Sequence, residues 1–119
     1  MTPFHADTMP DEFYTEERCF IREWINTPDQ PEASLAQCRV VVGTTTQKHR
    51  LSVTEWYLVR QGIGELRVAE QAPIIIKPGD RVCIPSCAAQ QVLSTGDEDL
   101  VFDCFCVPRF TPDCYESLE

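Results

Sequence analysis

Basic residues are scarce in this chain: ten Lys and Arg stand against nineteen Asp and Glu among 119 residues, a net charge of −9. That balance disfavours sequence-independent binding to nucleic acid phosphates or to anionic lipid. Long apolar runs are missing too. No purely aliphatic run exceeds three residues, where a bilayer-spanning helix needs about 20 apolar residues, so neither a nucleic acid nor a membrane is expected as a partner. The opening MTPFHADTMPDEF has no basic start and no apolar stretch, so it does not read as a secretory signal, and the expected compartment is the cytoplasm. No C-x-x-C pair occurs, which removes zinc ribbons and thioredoxin-like redox motifs. Low-complexity segments and solenoid-period repeats are also lacking.

What the chain does contain is cysteine and turn punctuation. Cys19, Cys38, Cys83, Cys87, Cys104, Cys106 and Cys114 make seven, an odd number that, without an export signal, is expected to be largely reduced and buried as small hydrophobes. Short β-branched and aromatic runs are spaced by turn formers. Strands are expected over Cys19 to Trp24, Arg39 to Val42, Val53 to Arg60, Glu65 to Val68, a buried Ile74 to Ile76, Arg81 to Ile84, Gln90 to Leu93 and Leu100 to Val107. Lys77-Pro78-Gly79-Asp80 and Thr95-Gly96-Asp97-Glu98 punctuate them, and Pro112 to Leu118 reads as a helical turn. With no helical period between them, these strands predict one all-β domain, a sandwich or barrel. Residues 1–17 read as a polar arm, 18–112 as the barrel and 113–119 as a tail.

The spacing of particular residues on these strands is more specific. Gly43 is followed after five residues by His49, then by Arg50 and Leu51, by Glu55 after three more, and by Gly62 after six. Gly79 is followed after five residues by Pro85, then by Ser86 and Cys87, by Gln90 after two more, and by Ser94 after three. These runs resemble the two motifs of the cupin superfamily. Leu51 replaces the second histidine of the first motif, and Cys87, Gln90 and Ser94 replace a glycine, a histidine and an asparagine of the second. The sixteen-residue link from Ile63 to Pro78 is similar to that of small single-domain bacterial cupins. The resemblance implies a jelly-roll barrel.

It also implies a site. Carried over residue by residue, the family's metal ligands fall on His49, Glu55 and Gln90, with zinc, nickel, iron or manganese as the divalent ion. His49, Leu51, Glu55 and Tyr57 share strand parity, so one interior face is expected to hold them. The amide of Gln90 is a weak neutral ligand, which leaves an occupied metal site and an empty hydrogen-bonded network of His49, Glu55 and Gln90 both open. His49, Glu55 and Tyr57 are the candidate catalytic residues, the first two as bases. The resemblance points to a small polar metabolite such as a sugar derivative, handled by an isomerase- or epimerase-like proton transfer. A non-enzymatic binding barrel and an iron-dependent dioxygenase are the alternatives. A homodimer is expected, with the arm supplying much of the interface.

Overall fold

The computed structural model describes residues 9–119. They form eleven strands: β1 Phe13–Tyr14, β2 Phe20–Ile25, β3 Ser34–Val40, β4 His49–Leu51, β5 Thr54–Gln61, β6 Gly64–Val68, β7 Ile74–Ile76, β8 Arg81–Ile84, β9 Gln90–Ser94, β10 Leu100–Val107 and β11 Tyr115–Ser117. A six-stranded sheet runs β1-β2-β3-β10-β5-β8 and a five-stranded sheet β11-β4-β9-β6-β7. All pairings are antiparallel. No helix among the described residues is long and apolar enough to cross a membrane.

The two sheets share an interior because their strands alternate. On β10, Leu100, Phe102 and Cys106 are buried, and they meet the buried Glu55, Tyr57 and Val59 of β5 and Cys38 and Val40 of β3. Leu66 and Val92 close the core from the other sheet. Each such aliphatic or aromatic side chain contributes on the order of 2 kcal/mol by leaving water. The alternation survives the corner between β4 and β5: His49, Leu51, Val53, Glu55 and Tyr57 are all buried. The corner is clamped where Ser52 N donates to Cys114 O at 2.9 Å and Cys87 N to Leu51 O at 2.7 Å.

Several expectations are corrected. Ile74 and Ile75 are 46% and 63% exposed, and only Ile76 is buried, because β7 is the edge of its sheet and covers the core with one side chain. Val41 and Val42 leave β3 and are exposed, since the chain turns at Gly43 with φ +81°. Cys83 lies on the outward parity of β8 and Cys87 in a turn, so both are exposed, although all seven cysteines are free. In place of a helical turn over Pro112 to Leu118, Pro112–Cys114 forms one 3-10 turn and Tyr115–Ser117 pairs with β4. Of the expected arm, residues 1–8 lie outside the described residues. Phe13 and Tyr14 pair with Ile21 and Phe20 at the sheet edge.

Candidate functional site

Between the sheets lies a cavity of about 480 Å³. Its floor is buried and its lining mixes apolar groups with His49, Glu55, Tyr57 and Glu17. Its lining also includes the half-buried Arg109, Asn26 and Phe110 and the exposed Pro112, Phe13 and Glu23. Of the three candidate metal ligands, Gln90 stands apart from this lining but reaches the cavity through its partners.

His49 is fixed on three sides. Its Nδ1 lies 2.8 Å from Gln47 O. A carbonyl only accepts, so Nδ1 carries the proton and Nε2 of the neutral ring is a bare acceptor. The imidazole stacks on Tyr115 of β11, centroids 4.8 Å apart at 21°, and the Tyr115 hydroxyl donates to the Gln47 side chain. The terminal strand therefore holds the catalytic candidate's ring. Nε2 faces the Glu17 carboxylate at 3.7 Å. Burial holds His49 below the usual imidazole range, partly offset by the Gln47 carbonyl.

Glu55, Gln90 and Tyr57 form a second network. Gln90 Nε2 donates to Glu55 Oε1 at 2.8 Å, and Tyr57 OH donates to Gln90 Oε1. Tyr57 stacks on Phe102 with centroids 4.3 Å apart. Burial raises the Glu55 carboxyl, opposed by the Gln90 hydrogen bond and by the Cys104 thiol. Cys106 Sγ also lies 4.0 Å from Glu55 Oε2. Burial likewise pushes Tyr57, Cys104 and Cys106 upward, so these groups stay protonated at neutral pH.

The arrangement does not fit a divalent ion. The amide oxygen that Gln90 would offer already accepts from Tyr57, its N–H is spent on Glu55, and His49 faces a different carboxylate. Leu51, where the family has an imidazole, packs in an apolar cluster with Val53, Cys106 and Cys114. Among the described residues no group of three His, Cys, Asp or Glu side chains is placed to hold a metal.

Glu17 is the residue that strand reading passed over. It precedes β2, and its carboxyl is pushed up to about 7 by burial first and by Glu55 second. Thr15, Glu17, Cys19, Ile21 and Glu23 all line the cavity. Residues 15–19 form the turn between β1 and β2, with Arg18 at φ +68°, so strand parity could not place Glu17 in the lining and only the fold brings it there.

No protein-family model matches the chain, and no curated protein matches it in sequence. Solved structures do resemble it. Pac13 of Streptomyces, described as a unique nucleoside dehydratase, matches with a TM-score of 0.79 at 12% identity, over 100% of this chain and 92% of its own. The polyketide cyclase RemF from Streptomyces resistomycificus gives 0.78 at 18% identity over 100% and 86% of the two chains. A cupin-like protein from Thermotoga maritima gives 0.77 at 16% identity over 97% and 89%. Identities this low speak to the fold, and the fold is that of a cupin.

Proposed function

From a cupin-fold barrel whose cavity pairs an acid with a base, we propose an enzyme that moves protons on a small polar metabolite such as a sugar derivative, in an isomerase- or epimerase-like reaction. One observation carries the reading: the bare Nε2 of His49 faces, at 3.7 Å, a Glu17 carboxyl that titrates at about 7, inside the cavity that also holds Glu55. A neutral imidazole beside a carboxyl pushed up to about 7 suits proton transfer. In this scheme Nε2 of His49 takes a proton from the carbon beside a carbonyl. Glu55, whose carboxyl burial raises, donates a proton to the carbonyl oxygen as the C–H electrons move, giving an enediol. Reversal on the other carbon or the other face completes the isomerisation, with Glu17 exchanging the proton held on His49. Tyr57 and Gln90 hold the Glu55 carboxyl in place.

Two structural relatives carry the names of enzymes acting on small organic molecules, a nucleoside dehydratase and a polyketide cyclase, which supports enzymatic use of the barrel. Seven free thiols suit a reducing compartment, and we take the cytoplasm as its place. For assembly, we propose a homodimer built largely on residues 1–17, whose strand β1 sits at the sheet edge with one side unpaired among the described residues.

The test is deuterium exchange. In D2O, with a panel of small aldoses, ketoses, hydroxy-ketones and their carboxylate-bearing counterparts followed by proton NMR, the wild type should wash deuterium into the position beside the carbonyl of at least one member. His49→Gln and Glu55→Gln should each slow that exchange by about 100-fold or more. Absence of exchange across the panel rejects the enzyme and leaves the binding barrel.

A further inference from the structure

The mouth of the cavity carries a second built feature. Among the described residues Arg109 is the one Lys or Arg that lines the cavity. In a chain with nineteen carboxylates and ten cations, most guanidinium groups find acidic partners: Arg18, Arg39, Arg50, Arg60 and Arg67 all form ion pairs. Arg109 forms none among the described residues. Its Nε donates instead to the neutral Asn26 Oδ1 at 3.0 Å. The amide of Asn26 cannot turn away, because its Nδ2 donates to Glu23 Oε2 and to Phe110 O, both at 2.9 Å. The backbone is clamped as well: Arg109 N donates to Pro31 O at 3.1 Å and Phe110 N to Ser34 Oγ at 2.9 Å. Nε is thus spent on orientation, while the two terminal nitrogens have no hydrogen-bond partner among the described residues. That terminal pair of N–H groups matches the two oxygens of a carboxylate.

We propose that Arg109 is an anion anchor and that the cavity's ligand is a small organic acid, whose carboxylate sits on the guanidinium at the mouth while its uncharged part reaches toward Glu55 and His49. A monoanion suits the site better than a phosphate. One cation with Glu23 nearby offers little to a second negative charge, and Glu17 and Glu55 would repel a dianion reaching deeper whenever they ionise. This deepens the proposed function by naming a substrate class, and rests on that reading only in placing both ends of one ligand in the same cavity.

The test uses sodium benzoate against benzamide, two probes of one shape that differ in charge, with inorganic phosphate as the third arm, followed by 1H–15N NMR titration of the full-length protein. Benzoate should bind at least about tenfold more tightly than benzamide and shift the Arg109 Nε–H resonance. Arg109→Gln should bring benzoate down to the benzamide level, and Asn26→Ala should weaken benzoate while leaving benzamide unchanged. Equal binding of the two probes overturns the anchor, as does benzoate binding that survives Arg109→Gln, tighter binding of phosphate than of benzoate, or no binding of benzoate. If Arg109→Gln does not fold, the wild-type contrast between probes and the Nε–H shift still decide. Deuterium exchange reads the chemistry separately, so a neutral ligand that exchanges would sink the anchor and spare the enzyme.

Discussion

Glu17 sets the pH behaviour of the site. Its carboxyl, ordinarily near 4.5, is raised to about 7 in the folded chain. Between those values the native state keeps a proton that the unfolded chain has released, so this group's contribution to stability falls as pH rises through that window and is constant above it. Glu17→Gln should therefore gain on the wild type from pH 5 to pH 8 by up to ~3 kcal/mol, measured by urea unfolding. A gap independent of pH would show that the carboxyl is not raised. Since Glu55 contributes to the shift, Glu55→Gln should lower the Glu17 midpoint in a carboxyl 13C titration. Tyr57 tests the second network. Tyr57→Phe deletes the donor to Gln90 Oε1 in a buried setting and should cost about 1–2 kcal/mol.

Turns between elements carry the motif glycines, and two positions behave differently. Gly62 has φ +80° and no space: an added Cβ would meet Asp99 O at 2.6 Å. Gly43 has φ +81° and open space. Gly43→Ala should cost about 1 kcal/mol from the left-handed backbone, and Gly62→Ala at least twice that, because backbone atoms of the 99–100 segment must also move. Cys87 is the converse case. It stands where the cupin motif has glycine and holds φ +69°, so Cys87→Gly should stabilise by about 0.5–1 kcal/mol in denaturant unfolding, the relief of strain exceeding glycine's added chain entropy. A loss of stability would mean that the Cys87 thiol, 3.5 Å from Ser86 Oγ, contributes more than its backbone costs.

For the whole molecule, a −9 chain must bring two like-charged copies together to dimerise. The arm would accomplish this by strand pairing or exchange at the sheet edge, where backbone hydrogen bonds do not depend on net charge. Light scattering at low micromolar concentration should give a dimer for the full chain and a monomer after deletion of residues 1–17. A truncated chain that remains dimeric removes the arm from the interface, and a full-length monomer removes the dimer.

Turn punctuation and period-two alternation were enough to read an all-β barrel, and the motif spacing placed His49, Leu51, Glu55 and Tyr57 on one interior face, because side-chain parity is a local property of an extended chain. Two kinds of fact were out of reach. Burial of Ile74 to Ile76 and Cys83 depended on which strand lies at an edge and which parity faces out, and both are decided by pairing partners far away in sequence. The partners within the site were decided the same way. His49 could be matched by spacing to Glu55 and Gln90, yet the fold turns it toward Glu17 and locks it under Tyr115, while Gln90 is claimed by Glu55 and Tyr57. Hydrogen-bond direction and ring orientation depend on packing between segments distant in the chain, so they arise only when both sheets close around the cavity.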